Sequence, residues 1–450
     1  MTEIRLTNTL TRQVEDLVPL VPGQVGVYLC GPTVYDLAHL GNARSAVNFD
    51  MLHRLLRHDF GVENVSFVRN ITDVEDKIIA RAIETGRPIG QLTAASTQDY
   101  LDDLDSLSVL PVTNMPRATE YIAEMIDMIT VLIDKGHAYV APDGNVLFHV
   151  PSMDDYGQLS RRSQDDIIAG ARVEVSSAKK DASDFVLWKP KKANEPDSAA
   201  FDSPWGLGRP GWHIECSAMS KSILGDVFDI HAGGNDLIFP HHENEIAQSR
   251  CANGTAHMAK TWLHNGMLMV EGQKMSKSLG NFFTVRDLLG QGHRGETLRL
   301  SLLSGHYRAP LDFTQAKLVE AKNRLDSWYR AWNGAPAAAE VPGSVLRAVR
   351  DDLNTPQAFA EIDALKGDPA QLAAAAQFLG LLTHTPADWF QGGGESDDGL
   401  SSTGIEALIV ERADAKKAKN FARADEIRNQ LTEAGIVLED GAGGTTWRRG

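Results

Sequence analysis

The sequence predicts an α/β fold: an open parallel sheet split by an insertion, then a helical bundle and a small C-terminal module. Three observations carry this. Up to about residue 110, short β-branched runs alternate with segments of helical period. Between Ser152 and Gly211 that periodicity gives way to an irregular stretch, Lys/Asp-rich in its middle and punctuated by Pro and Gly. From Phe313 to Leu382 the chain reads as wholly helical and Ala-rich, and Gln391–Gly399 follows as a flexible Gly-rich linker. The expected divisions are 1–110, an insertion over 111–210, 211–312, 313–390, a linker over 391–404, and 405–450.

The elements follow in order. Val25–Gly31 reads as a buried strand, broken by Pro32-Thr33-Val34-Tyr35-Asp36. His39-Leu40-Gly41-Asn42-Ala43-Arg44 opens a helix whose apolar face is Val47, Met51, Leu55 and Leu56. His39 and Asn42 therefore stand at a strand–turn–helix junction, where a parallel sheet binds phosphates. Thr119–Lys135 is an amphipathic helix, and Ala138–Val150 a hairpin turning at Asp143-Gly144. Trp212–Cys216 precedes a short amphipathic helix, and Val227–His231 is a strand. Pro240 suits a first helical position. Helices are expected from Ile405 to about Gly435, before a compact tail ending in Trp447-Arg448-Arg449.

Composition bounds the chemistry. With 450 residues, 42% hydrophobic and 23% charged, the chain has the material for several cores. No apolar run reaches membrane-spanning length, and Met1–Leu6 lacks the basic start and apolar run of a secretory signal. Three cysteines, Cys30, Cys216 and Cys251, are too few for a disulfide framework and suit a reducing cytoplasm. The net charge of −16 argues against a nucleic-acid partner only if charge is uniform. Residues 405–450 carry eight basic and eight acidic residues, so this end is neutral within an acidic chain.

Two patterns point to chemistry. In Pro240-His241-His242-Glu243-Asn244-Glu245, His241 and Glu245 are one helical turn apart and can share a metal ion, while His242 and Glu243 point away. Cys30 and Cys216 would complete a set suited to zinc; read by themselves, these residues are more readily two buried structural cysteines and a surface His/Glu pair. Cys251 reads as a structural thiol. The second pattern is Gly272-Gln273-Lys274-Met275-Ser276-Lys277-Ser278-Leu279-Gly280-Asn281, two lysines between glycines, suited to closing over phosphate or to being a solvated basic turn.

Taken together these motifs resemble the cysteinyl-tRNA synthetase family. Lys274–Ser278 matches the lysine-loop signature of class I aminoacyl-tRNA synthetases, and His39-Leu40-Gly41-Asn42 their first signature, usually His-Ile-Gly-His, with Asn42 as a departure. Cys30–Asp36, Gly211–Met219 and Phe239–Glu245 carry the cysteine-specific likeness. The resemblance implies a Rossmann-type catalytic domain in two halves around the insertion, a helical bundle touching tRNA, and an anticodon-binding module. It implies activation of L-cysteine with ATP to an adenylate and transfer to tRNA(Cys), by a cytoplasmic monomer. Zinc would be held by Cys30, Cys216, His241 and Glu245 and would separate cysteine from serine, with Mg2+ accompanying ATP.

The same resemblance assigns catalysis to His39, Asn42, Lys274 and Lys277, with Gly41 leaving room for adenine. Asn42 would donate hydrogen bonds without carrying charge. Thr33, Thr72 beside Asp73, Trp212 and His231 would line the amino-acid side; Trp212 also reads as core, and His231 as a satisfied strand-end histidine. Lys416, Asp425, Asp440 and Trp447 would meet tRNA, although Trp447 reads equally as the module's core. A ligase joining cysteine to an amino sugar would need no tail module, and a non-catalytic paralogue would not need His39 and both lysines.

Overall fold

The protein is described by a computed structural model over residues 3–162, 178–275, 280–391, 402–441 and 444–449. Lys277 and residues 392–401 of the expected linker lie outside the described residues. The chain divides into two compact units, Met1–Ala321 with Pro342–Glu361, and Lys322–Val341 with Ile362–Gly450.

The first unit opens with an antiparallel hairpin of β1 (Arg5–Asn8) and β2 (Gln13–Asp16). Then come β3 (Val25–Leu29), α1 (Leu40–Phe60), β4 (Val65–Arg69), α2 (Asp76–Thr85), α3 (Ile89–Ser106) and α4 (Ile122–Asp134). The strands are β-branched and almost wholly buried, as a sheet covered on both faces requires. The insertion follows as a four-stranded antiparallel sheet in chain order: β5 (Ala138–Val140), β6 (Val146–Phe148), β7 (Phe185–Pro190) and β8 (Gly208–Pro210).

Thus the stretch expected to be irregular contains two strands. Pro190 and Pro210 close them, which masks the strand pattern in the sequence. Gly208 and Gly211 lie so close to the carbonyls of Lys189 and Val186 that a Cβ would approach them at 2.3 and 2.2 Å.

Next come α5 (Trp212–Leu224), β9 (Phe228–Gly234), α6 (Glu243–Asn253) and β10 (Ala259–Asn265). Trp212–Cys216 is the first turn of α5 rather than a lead-in to it. Gly211 caps this helix with extended backbone and no side chain, so the sequence carries no start signal. The central sheet has the order β10–β9–β3–β4, all parallel. The chain leaves β3 for β4 on one side and later returns to β9 on the other. The crevice beyond the ends of β3 and β9 is thus a topological switch point, where such sheets bind ligands. β11 (Leu268–Val270), β12 (Gln273–Lys274) and, after two short helices, β13 (Leu311–Phe313) form a small mixed sheet beyond it.

In the second unit, Tyr329 stacks on Trp389 at 4.6 Å, and the Trp389 indole N–H donates to Asp326 at 2.8 Å. The end of the chain packs two helices, Ser402–Lys417 and Phe421–Glu433, on a hairpin of Ile436–Gly441 and Gly444–Arg449. Its core is Ile405, Ile409, Ile427, Leu431, Ile436 and Trp447.

Candidate active site

The helix α1 aims its N-terminus at the switch point. His39 caps it: its Nδ1 accepts from the Gly41 N–H at 3.0 Å, while the His39 N–H donates to Asn42 Oδ1 at 3.2 Å. With Nδ1 accepting, the neutral His39 ring carries its proton on Nε2, and Asn42 keeps its amide N–H groups for another acceptor. A Cβ on Gly41 would meet the His39 ring at 2.8 Å, so this position has to be bare. Buried Arg44, one turn on, donates to the carbonyls of Gly266, Met267 (2.7 Å) and Ala309 (2.6 Å) and fixes the loop after β10. Burial lowers its pKa to about 10, still charged at neutral pH.

His39, Gly41 and Asn42 border a cavity of about 410 Å3. Thr33, His39, Gly41, Asn42, Trp212 and Lys274 line it, together with Cys30 and the cations Arg69 and Lys77. Gly272 and Gly280, at either end of the lysine loop, both have positive φ, a conformation glycine adopts without strain. Beyond the loop, Leu40 N–H donates to the Phe283 carbonyl at 2.9 Å, and Phe282 meets the His39 ring edge-on. The C-terminal end of the lysine loop is therefore tied to the same wall as His39.

Below this wall lie two thiols, an imidazole and a carboxylate. Cys30 Sγ is 3.7 Å from Cys216 Sγ, 3.6 Å from His241 Nε2 and 3.6 Å from Glu245 Oε1. His241 Nε2 is 3.0 Å from Glu245 Oε1. Four ligands around zinc, with bonds of about 2.0–2.3 Å, have edges of roughly 3.3–3.8 Å; the three separations from Cys30 Sγ fall in that range, and the His241–Glu245 pair need only part slightly to admit such an ion. Electrostatics point the same way. Burial pushes the Cys30 thiol and the Glu245 carboxyl up, and holding both as anions there requires a cation between them.

Neighbouring groups orient the ligands. His241 Nδ1 is 2.9 Å from His213 Nδ1, and Trp212 stacks on the His241 ring at 4.1 Å. Desolvation lowers the His213 pKa to about 3, so its ring is neutral and can accept the His241 proton, which frees His241 Nε2.

The expectation that His242 points away is corrected. Its Nε2 lies 3.3 Å from Cys30 Sγ, and its Nδ1 pairs with His264 Nε2 at 2.7 Å. One turn-like irregularity over Ile238–His242, with non-helical Phe239, swings it inward. A second candidate set, Cys30, His231, His242 and Glu245, overlaps the first. It fits less well, because His231 faces oxygens with both nitrogens: the Tyr28 carbonyl at 3.2 Å and Glu245 Oε2 at 2.8 Å. Glu243 does point away, accepting N–H groups of Gly157 and Ser160.

Other expected site residues are not brought to the cavity. His231 is wholly buried behind Glu245, and Thr72 donates to buried Glu215 at 2.8 Å. Asp73 is engaged by Thr119. Trp447 is 3% exposed and donates to Glu406 at 2.7 Å, so it is core and no stacking platform. Asp440 is held by Arg412 at 3.0 Å and Lys416 at 3.2 Å, which leaves it little to offer a base edge. Asp425 is exposed, and so is the Lys416 side chain. Sequence reasoning gave no role to Arg44, Lys77, His213 or His264. A cluster of histidines close to candidate ligands was the available signal for His213 and His264.

The family described as tRNA synthetases class I (C) catalytic domain matches residues 16–323, and the Cysteinyl-tRNA ligase anticodon binding domain matches 398–448. The chain is similar to the cysteine–tRNA ligase of Rhodospirillum centenum, 55% identical over 460 residues, covering 99% of each chain. It is also 55% identical to that of Paramagnetospirillum magneticum, over 99% of each. Among solved structures, a Mycobacterium tuberculosis methionyl-tRNA synthetase with methionyl-adenylate superposes at TM-score 0.56 and 13% identity, covering 79% of this chain and 89% of that one. The LeuRS–tRNA–LeuAMS complex of Agrobacterium radiobacter K84 gives 0.54 at 11%, covering 81% and 83%. These last two share the fold.

Proposed function

The chain belongs to the cysteine–tRNA ligase family of class I synthetases, and on that premise we propose that it joins L-cysteine to tRNA(Cys) through a cysteinyl-adenylate. The observation that carries this reading is the approach of Cys30, Cys216, His241 and Glu245 to one point, with Cys30 shared between that quartet and the cavity bordered by His39, Asn42 and Lys274. When bound there, zinc supplies a thiophilic centre that prefers a thiolate to a neutral hydroxyl, which separates cysteine from serine.

The chain's own residues do the rest. The cysteine carboxylate attacks the α-phosphorus of ATP and pyrophosphate leaves. This step needs alignment and charge neutralisation more than covalent help. His39 Nε2–H and the Asn42 amide donate to phosphate oxygens from the start of α1, where the helix dipole adds to their effect. Lys274 and Lys277 would meet the phosphates from the loop, and Mg2+ would accompany the nucleotide. Bare Gly41 lets the adenine lie against the backbone. Thr33 and Trp212 border the amino-acid side. In the second step the terminal ribose hydroxyl of tRNA attacks the adenylate.

The divisions proposed are a catalytic domain in two parts (1–110 and 211–312) around an insertion (111–210), a tRNA-contacting bundle (313–390) and, after a linker, an anticodon module (405–450). Of the residues expected to meet tRNA, Asp425 and Lys416 are exposed, and Lys416 is paired with Asp440 at 3.2 Å. No described helix is long and apolar enough to cross a membrane; a cytoplasmic monomer is the proposed form. Charging of tRNA with labelled cysteine tests the function. Cysteine passed to an amino sugar instead, or no turnover at all, would overturn it.

A further inference from the structure

Behind the cavity wall runs a one-way chain of buried hydrogen bonds. The Gly31 N–H donates to Asn70 Oδ1 at 2.8 Å, the Asn70 amide donates to Thr72 Oγ1 at 3.4 Å, and the Thr72 hydroxyl donates to Glu215 Oε2 at 2.8 Å. Asn70, Thr72 and Glu215 are each at most 1% exposed. The donor at one end follows Cys30 in the chain, and the acceptor at the other precedes Cys216. So the chain spans the two backbone segments that carry the thiols, β3 and the first turn of α5, by way of the end of β4. Asn70 Oδ1 also lies 3.8 Å from Cys216 Sγ.

Two further features show that this path is built tightly. A Cβ on Gly31 would stand 1.7 Å from the Asn70 carbonyl oxygen, so the two backbones are in direct contact. The ladder between them continues past the strand ends, with Val34 N–H donating to the Thr72 carbonyl and Thr72 N–H to the Pro32 carbonyl, each at 3.1 Å. The segment Cys30–Val34 therefore has its position set by Asn70 and Thr72, and these in turn by Glu215. Glu215 Oε1 has no partner among the described residues, so Thr72 is the group its carboxyl serves.

We infer that Asn70, Thr72 and Glu215 are positioning residues that hold Cys30 and Cys216 at the spacing needed to select cysteine. The inference rests on the reading that these cysteines hold a metal. It needs Glu215 as a hydrogen-bond acceptor and not as a charge.

The test uses the full-length chain stripped of metal and titrated with Co2+, whose thiolate-to-metal absorption reports two bound sulfurs directly. Wild type showing no thiolate band would refute the metal reading itself. Given that band, Thr72→Val and Glu215→Leu are expected to weaken cobalt binding about 10- to 100-fold, the range for lost orienting partners. They should raise the KM for cysteine in ATP–pyrophosphate exchange and leave the KM for ATP as in wild type. Thr72→Ser and Glu215→Gln, which keep the hydroxyl donor and the carbonyl acceptor, should restore both quantities. The paired losses of Thr72→Val and Glu215→Leu should not add in the double variant. If Glu215→Leu fails to fold, Thr72→Val and Glu215→Gln decide the matter. Wild-type cobalt affinity and cysteine KM in Thr72→Val overturn the inference. So does a Glu215→Gln variant as impaired as Thr72→Val.

Discussion

Replacing His213 with Phe isolates one interaction of the proposed metal site. The His213 ring packs edge-on to Phe185 at 5.8 Å and beside Trp212 at 5.3 Å, so a phenyl ring suits its surroundings. What is lost is the acceptor 2.9 Å from His241 Nδ1. With no metal bound, His241 can change tautomer and donate from Nε2 to Glu245, 3.0 Å away, so the ligand-free protein bears little cost. With metal bound, Nε2 has to give its lone pair, and the proton is forced onto Nδ1. His241 is 1% exposed, and that N–H then points at a ring that accepts nothing. A buried, unsatisfied donor costs about 1–3 kcal/mol, which corresponds to roughly 5- to 150-fold in affinity. Loss of orienting partners of metal-binding histidines has a comparable range, about 10- to 100-fold. Competition with a chelator of known zinc affinity measures the quantity, and His213→Asn, which restores a side-chain acceptor, should recover part of it. A His213→Phe variant that binds zinc as tightly as wild type would refute the assignment of the His241 tautomer.

Lys277→Ala should abolish cysteine-dependent ATP–pyrophosphate exchange while leaving zinc content at wild type, and exchange at the wild-type rate would remove this lysine from the reaction. Trp447→Ala should collapse the small C-terminal core, since truncating a buried Trp costs about 3–5 kcal/mol; tRNA charging would be lost while pyrophosphate exchange persists. Buried His53, stacked on Phe67 at 4.5 Å, has its pKa lowered from 6.5 to about 4, chiefly by desolvation. A depressed histidine stabilises the fold above its unfolded pKa, and that stability drains as pH falls from about 6.5 to about 4. At pH 5 the loss is about 2 kcal/mol, so the unfolding free energy from urea titration should fall between pH 7 and pH 5 by about that much more in wild type than in His53→Gln.

Much of the fold could be read because its signals are local. The β-branched run Val25–Leu29, the helix opening at His39 and the amphipathic run of Ile122–Asp134 each specify their element within a few residues. The strands over Phe185–Pro190 and Gly208–Pro210 escaped because their register depends on glycines passing close to distant carbonyls, which no local pattern encodes. Likewise α5 has no capping side chain, so its start at Trp212 was invisible. At the site, Cys30 and Cys216 could be named from motifs alone, but their 3.7 Å approach spans 186 positions. His242 reads as pointing away under ideal helical spacing, but it ends the irregular turn Ile238–His242, ahead of the regular helix that starts at Glu243. Thr72, His231 and Trp447 carry types suited to ligand contact, yet each is itself buried and already has a partner. Composition cannot tell a group facing a cavity from one facing a neighbour.

Asn42 shows how these levels constrain one another. Its Oδ1 is committed to the His39 N–H, so the side chain that stands where a second histidine is usual serves first as a helix cap. A protonated imidazole there would add charge beside the phosphates; an amide adds only a dipole. Of the described cavity wall, Arg69, Lys77 and Lys274 carry formal positive charge, and Arg69 is 4% exposed with its guanidinium over the Tyr100 ring. Charge neutralisation in the proposed reaction therefore falls to the lysines. That includes Lys274 in a loop whose flanking glycines, Gly272 and Gly280, both hold positive φ, so in the proposed reaction the charge that meets the phosphates depends on where that loop stands.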